Sequence, residues 1–247
     1  NNASRAPEEV ANQIAGYGLP AGSDDVVTSP QAAVRVLARA VPAGSKILVV
    51  GGKGLVDEVT NAGFTAVSTA AEQPAAVIQG FSPQVGWEQL AQASFALQED
   101  PLRPWIATNT DWTIPVEGGV APGNGALVSA VHLAVGRLAT FAGKPEKEIF
   151  DVATERFRPE GGALMIGDRL DTDILGANRA GMASALVLTG IDTAKTLLAS
   201  DSSMRPTFVL EDLRQLHKPY PEIVRSTDSD GVHTVEVGKA VVRRKEN

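Results

Sequence analysis

Short apolar runs that end in glycine and alternate with helical segments constrain this chain more than any other feature of its sequence. They include SKILVVGG (45–52), AAVIQGF (75–81), GALMIG (162–167) and SALVLTG (184–190). Most are followed by a stretch with helical periodicity. Strands that alternate with helices in this way predict an α/β fold, in which helices cover a parallel sheet.

The predicted helices lie between these runs, at 4–18, from about 29, and at 54–63, 86–98, 126–141, 146–157 and 173–181. A Gly- and Pro-rich stretch at 115–125 interrupts the alternation. The segment 219–247 changes character: it is first polar and then alternates like a β-hairpin that turns at Gly238-Lys239. We interpret it as an edge hairpin or the stub of a further domain.

Charge and composition exclude several classes of protein. The 247 residues carry a formal net charge of -7, which argues against nucleic acid or an anionic membrane as the main partner. The chain has no cysteine and only three, widely separated histidines, so disulfides and thiolate or three-histidine zinc sites are not expected. No apolar run approaches ~18 residues, so no membrane helix is expected. We predict a cytoplasmic protein.

An acidic cluster follows the third of these runs, in LMIGDRLDTDILGANRAGM (164–182). Asp168 comes directly after Gly167, past the carboxyl end of a predicted buried strand, where ligands bind in open α/β sheets. It suits Mg²⁺, with Asp173 as a second ligand or a supporting acceptor. The alternative is a strand-end turn capped by an aspartate, and the spacing favours neither. Asp171 is interpreted as a helix cap or a solvent-facing residue.

Other candidate residues are weaker taken singly. Lys144, in GKPEKEIF, precedes a helix and could reach a phosphate, although most lysines are simply exposed. NNASR (1–5) could cradle an anion at a helix N-terminus or merely cap it. Asn109 and Asp111 follow a strand in ATNTDWTIP, which suits a substrate lid or an ordinary polar loop. VVGGKG (49–54) lacks phosphate-loop spacing and is interpreted as a structural turn.

The order of these motifs resembles one family closely. From the N-terminus they are NNASR, GFSPQVGWEQL, TNTDWTIPVEGG, PGNGALVSA, GKP and GDRLDTDILGA. They are similar to the haloacid dehalogenase-like phosphatases that carry a large α/β cap, including phosphoglycolate, glycerol-3-phosphate and 4-nitrophenyl phosphatases. The resemblance covers about residues 1–216. It implies a Rossmann-like core at 1–19 and 142–218, and an inserted α/β cap domain at 20–141.

The resemblance also assigns roles to single residues. Asp168 matches the family's Mg²⁺ ligand, and Asp173 matches the supporting acid. Lys144 matches the lysine that neutralises the phosphate and the nucleophile. Asn1 and Asn2 match the residues that hold the phosphate after a Thr or Ser of the second motif.

The cap loop bears on the substrate. TNTD (108–111) matches the family's substrate loop, which makes Asn109 and Asp111 substrate contacts by resemblance. Pyridoxal phosphate phosphatases have a histidine just before the proline of this loop, and here that position is Ile114. The resemblance therefore implies a small polyol or glycolate phosphate rather than a pyridoxal ring, and a homodimer formed through the cap.

One part of the family pattern is missing. The D-x-D-G-[TV] motif, which carries the nucleophilic and the acid/base aspartates, does not precede NNASR in these residues, and the string DSDGV (228–232) lies in the polar segment at the other end of the chain. The chain begins with Asn1 rather than Met, so we expect the motif upstream, on a strand next to the one that ends at Gly167. The expected function is Mg²⁺-dependent hydrolysis of a phosphate monoester. The alternative is a non-catalytic phospho-ligand-binding protein, and a dinucleotide-binding oxidoreductase is disfavoured because G-x-G-x-x-G is absent.

Overall fold

The computed structural model describes residues 5–245, which form α/β layers as the alternating pattern predicts. The α-helices within this range are α1 (Pro7–Gly16), α2 (Ser29–Ala40), α3 (Lys53–Asn61), α4 (Trp87–Glu99), α5 (Asn124–Val135), α6 (Lys147–Phe157), α7 (Leu175–Arg179) and α8 (Ala194–Ala199). The strands are β1 (Lys46–Val50), β2 (Thr65–Val67), β3 (Ala76–Gln79), β4 (Trp105–Ala107), β5 (Thr113–Val116), β6 (Gly119–Pro122), β7 (Thr140–Phe141), β8 (Leu164–Gly167), β9 (Ala183–Val187), β10 (Phe208–Leu210), β11 (Ile223–Thr227), β12 (Val232–Val237) and β13 (Ala240–Lys245).

The larger sheet is parallel, with the strand order β2-β1-β3-β4-β7. Its two faces follow the period of two that a pleated strand imposes. Ile47 and Ile78 point into the core on the side of α2 and α3, whereas Leu48, Val77 and Trp105 point to the side of α4 and α5. Both faces are therefore buried, which explains why these strands read as continuous apolar runs.

The predicted helix 126–141 is wrong in its second half. Helix α5 ends at Val135 because Gly136 adopts a left-handed conformation with φ of 72°. Thr140 and Phe141 then form β7, which pairs with β4 at the edge of the larger sheet. Two shorter features also lie outside the predicted pattern: strand β2, and the hairpin of β5 and β6 within the Gly- and Pro-rich stretch.

A second parallel sheet, in the order β10-β9-β8, carries the acidic cluster. Its register pairs Gly167 with Leu186, so β8 and β9 end at the same edge. Within residues 5–245, β8 has a strand neighbour on one side only. Helices α6 and α7 lie beside it, and Phe150 of α6 packs so closely on α7 that a Cβ on Gly176 would lie 2.4 Å from its ring.

One apolar core contains helix α2 and residues of the larger sheet, and Met165 of β8 in the smaller sheet packs against it. Leu37 is fully buried, in a single apolar cluster that includes residues of the larger sheet, of α6 and of α7. On its outer side, Arg35 binds Glu155 through two hydrogen bonds of 2.5 and 2.6 Å and lies 2.8 Å from Glu148. The segment predicted as cap therefore packs directly against the segment predicted as core.

The last strands form a separate antiparallel meander in the order β11-β12-β13. The predicted turn at Gly238 is present, with φ of 59°, and β11 adds a third strand to the predicted hairpin. None of the helices in residues 5–245 has the length and hydropathy of a membrane span.

We expect Leu37→Ala to lower the free energy of unfolding by about 2–5 kcal/mol, because it leaves a cavity where α2 packs on the larger sheet and on α6. Equilibrium denaturation in urea measures this change. Leu198→Ala is the matched control, since Leu198 is 87% exposed, and it should unfold like the wild type. A loss below about 1 kcal/mol for Leu37→Ala would contradict this packing.

Candidate functional site

The site is built around Asp173, whose side chain is only 5% exposed. Its Oδ1 lies 2.5 Å from Nζ of Lys144. Its Oδ2 accepts hydrogen bonds from the backbone N–H groups of Asp168 and Arg169, both at 3.1 Å. Asp173 thus ties the end of β8 to the segment that follows β7, and it brings Lys144 and Asp168 to one place, as the motifs predict.

Gly167 is required by this close approach. A Cβ at this position would lie 2.3 Å from Oδ2 of Asp173 and 2.4 Å from its Cβ. Any side chain at this position would therefore push the carboxylate of Asp173 away from the backbone N–H groups of Asp168 and Arg169, which donate hydrogen bonds to it. The glycine after the apolar run is thus a packing requirement of Asp173.

The acidic cluster divides into three environments. Asp171 is 58% exposed and accepts two hydrogen bonds from Arg169, at 2.9 and 2.7 Å. It faces solvent as predicted and caps no helix, because Leu170–Ile174 forms a π-helical turn ahead of α7. Asp173 is buried and paired. Asp168 is intermediate in burial and lies at the carboxyl edge of the smaller sheet.

Asp168 has one carboxylate oxygen already in use. Its Oδ2 accepts a hydrogen bond of 2.9 Å from the backbone N–H of Ile191, and within residues 5–245 no hydrogen bond to Oδ1 is found. Sequence reasoning missed this second loop, Gly190–Asp192. A partial signal was present, since SALVLTG also ends in a glycine, and Asp192 follows two positions after it, whereas Asp168 directly follows GALMIG.

These residues fit a hard cation such as Mg²⁺ to a limited extent. No group of three or more His, Cys, Asp or Glu side chains in the described part of the chain is arranged to hold a metal. Mg²⁺ needs only one or two protein carboxylates when phosphate and water supply the other oxygens, and Oδ1 of Asp168 is suitable. Both oxygens of Asp173 are engaged, which favours the alternative that it supports the site without binding the ion.

Lys144 joins the site through the chain that leaves the larger sheet. It follows β7 and precedes α6, which begins at Lys147, and the Lys144-Pro145 peptide bond is cis. Its side chain is 22% exposed, and its ammonium group is held by Asp173. A fixed ammonium beside Asp168 can bind an anion such as a phosphate group.

The loop at 108–112, which the resemblance assigns to the cap, lies within electrostatic range of Arg169. Hydrogen bonds to Asp171 raise the pKa of Arg169, and the nearby charges of Asp111 and Asp192 raise it further. The same bonds lower the pKa of Asp171. The charge of Asp111 therefore acts on the residue that directly follows Asp168.

The α5 N-terminus holds this loop. The backbone N–H of Gly125 donates to the carbonyl of Asp111 at 2.9 Å, and Nδ2 of Asn124 donates to the carbonyl of Asn109 at 3.0 Å. Asn109 is only 3% exposed, and Trp112 is 66% exposed. The role of Asn109 and Asp111 in substrate binding stays a prediction. Asn1 and Asn2 lie outside the described residues.

Comparisons with known proteins agree with this arrangement. Residues 1–65 match the haloacid dehalogenase-like hydrolase family, and residues 141–216 match the HAD-hydrolase-like family. The chain is 43% identical over 220 residues to a D-glycerol 3-phosphate phosphatase of Mycobacterium tuberculosis, covering 88% of this chain and 61% of that protein. It is 34% identical over 219 residues to an acid sugar phosphatase of Staphylococcus saprophyticus, covering 88% of this chain and 82% of that protein.

A solved structure also shows the similarity to these phosphatases. The glycerol phosphate phosphatase of Mycobacterium tuberculosis in complex with magnesium superposes with a TM-score of 0.85 at 38% identity, covering 96% of this chain and 74% of that one. The chain spans less than two thirds of the full length of the mycobacterial relative. The strand-end aspartate, the buried Asp173–Lys144 pair and these similarities identify the chain as a member of the haloacid dehalogenase-like hydrolases.

Proposed function

We propose that the full-length protein is a Mg²⁺-dependent phosphatase that hydrolyses a small phosphorylated alcohol such as glycerol 3-phosphate or phosphoglycolate. The observation that carries this proposal is the contact of Asp173 with both Lys144 and the backbone of Asp168. It sets a cationic group for phosphate beside a carboxylate for a metal ion. The names of the mycobacterial and staphylococcal relatives support the substrate class.

The proposed reaction has two steps. An aspartate upstream of residue 1 attacks phosphorus, and the P–O bond to the alcohol breaks, which leaves an aspartyl phosphate. A second upstream aspartate gives its proton to the leaving alcohol oxygen. It then takes a proton from the water that attacks the aspartyl phosphate and releases inorganic phosphate.

The residues of this chain hold the reacting group. Lys144 donates to phosphate oxygens and offsets their charge, while Asp173 fixes its ammonium group. Asp168 would hold Mg²⁺, and the ion, when bound, would offset negative charge on the transferring phosphoryl group. A cap at 20–141 covers a core at 1–19 and 142–218, and its loop, with Asn109, Asp111 and Trp112, selects the alcohol. We place the protein in the cytoplasm, since a chain without cysteine fits a reducing compartment.

We expect the full-length protein to hydrolyse small alcohol phosphates in a Mg²⁺-dependent manner, and Asp168→Asn to lower kcat/KM by at least about 100-fold. The asparagine keeps the acceptor for Ile191 and removes the charge that the ion needs. A phosphate-release assay over a panel of substrates, with and without Mg²⁺, measures both effects. Asp171→Asn is the matched control, because Asp171 is exposed and lies three positions after Asp168, and it should keep wild-type activity.

Two outcomes of that assay would refute the proposal. Near-normal turnover by Asp168→Asn would show that the carboxylate of Asp168 is not needed to hold Mg²⁺. Binding of Mg²⁺ and phosphate without turnover of any substrate would make the protein a non-catalytic phospho-ligand-binding member of the family.

Lys144→Ala should reduce kcat/KM by at least about 100-fold, because it removes the ammonium that neutralises the phosphate. It also leaves the buried charge of Asp173 unpaired, so we expect a lower melting temperature. The double variant Lys144→Ala/Asp173→Asn separates these effects, since it should regain stability but not activity. Lys147→Ala is the control, because Lys147 pairs with Asp151 on the surface of α6. Unchanged steady-state kinetics in Lys144→Ala would contradict this role.

We further propose that the protein forms a homodimer through its cap. Helix α5 is apolar around most of its circumference, and Leu133 is 80% exposed on it. Leu138 and Phe95, on the same side of the larger sheet, are 67% and 52% exposed. Exposed apolar side chains of this size favour association.

Light scattering after size exclusion should therefore give twice the chain mass for the wild type and a single chain mass for Leu133→Glu. The variant should be monomeric because the glutamate at position 133 would have to be buried, charged and unpaired, in the dimer interface. Leu198→Glu, on the exposed α8, should remain dimeric. A monomeric wild type at micromolar concentration would refute the proposed dimer.

A further inference from the structure

Two strand-end loops of the smaller sheet hold each other through three hydrogen bonds. The backbone N–H of Ile191 donates to Oδ2 of Asp168 at 2.9 Å, and the backbone N–H of Asp192 donates to the carbonyl of Asp168 at 3.0 Å. In the opposite direction, the backbone N–H of Leu170 donates to Oδ2 of Asp192 at 2.7 Å. We call these three bonds the loop clamp.

The packing inside the loop clamp leaves no space for a side chain at Gly190. A Cβ at this position would lie 2.1 Å from Oδ2 and 2.4 Å from Cβ of Asp168. The carboxylate of Asp168 is therefore in direct contact with the backbone of the neighbouring loop. Its orientation depends on where that loop lies.

The neighbouring loop has little apolar anchorage of its own. Ile191, its largest side chain, is 66% exposed. Its position is therefore set mainly by hydrogen bonds, and the bond from Leu170 to the carboxylate of Asp192 is the only one of the three that a side chain of this loop makes. An ionised acceptor makes that bond stronger than one between neutral groups.

We infer that Asp192 is a positioning residue for Asp168: by accepting the Leu170 N–H, its carboxylate holds the loop clamp closed and directs Oδ1 of Asp168 towards the cation. Groups that orient a metal ligand from behind usually affect metal affinity strongly. This inference rests on the proposed function, because the cation is the Mg²⁺ of that proposal. It adds a role for a residue outside the GDRLDTDI motif.

The test is calorimetric titration of the full-length protein with Mg²⁺, without substrate. Asp192→Ala should bind Mg²⁺ about 10- to 100-fold more weakly than the wild type. Asp192→Asn should recover most of the affinity, because its amide oxygen can still accept the Leu170 N–H. Asp212→Ala is the matched control: Asp212 accepts the Arg214 N–H at 2.8 Å in a turn after β10, so its loss removes the same kind of bond outside the loop clamp.

A purely structural role predicts a different pattern. Asp192→Ala would then melt at a lower temperature in the absence of metal, as Asp212→Ala should, but would bind Mg²⁺ as tightly as the wild type. That result, or an Asp192→Asn variant as weak as Asp192→Ala, would overturn the inference. If Asp192→Ala does not fold, Asp192→Leu against Asp192→Asn makes the same comparison at similar side-chain size.

Gly190→Ala tests the loop clamp independently. The added methyl group would displace the carboxylate of Asp168, and Mg²⁺ affinity should fall while Asp192 stays intact. A wild-type protein that binds no Mg²⁺ would refute the proposed function and the inference together. A wild type that binds Mg²⁺, with an Asp192→Ala variant that binds it equally well, would refute the inference alone.

Discussion

The buried carboxylate of Asp173 is the group on which the rest of the site depends. Burying a charge is costly unless it is paired and hydrogen-bonded. Asp173 meets that requirement with Lys144 and with the backbone amides at the end of β8. The interactions that make this buried charge tolerable are therefore the same ones that hold an ammonium group beside Asp168. Removing either partner disturbs both the stability and the geometry of the site.

The position of the site follows from the two parallel sheets. Parallel strands that are joined by helices present their carboxyl ends at one edge, which is where Asp168 and Gly190 follow β8 and β9. The loop after β4 of the larger sheet brings Asp111 close to Arg169 at that edge. Because the apolar core around Leu37 contains residues of the larger sheet and contacts Met165 of β8, the loop after β4 and the strand ends of the smaller sheet share a common framework.

The sequence predicted those parts of the structure that depend on local patterns. Apolar runs that end in glycine predicted strands β1, β3, β8 and β9. The motifs predicted that Lys144 and Asp168 lie in one site. The end of α5 was missed because it depends on the left-handed conformation of Gly136, and strand β2 has only three residues. Asp192 was missed because its bond to Leu170 spans 22 positions. A contact between two loops leaves no periodic signal.

The charges around the site explain why a cation is needed there. Asp111, Asp168, Asp171, Asp173 and Asp192 contribute five carboxylates, whereas Lys144 and Arg169 contribute two cations. Lys144 and Arg169 are already paired with Asp173 and Asp171. A phosphate monoester is itself anionic, and the chain carries a net charge of -7, so neither the global nor the local field attracts it. In the proposed function, a divalent cation on Asp168 would offset two of these excess negative charges next to the phosphoryl group, so phosphate binding would depend on metal binding.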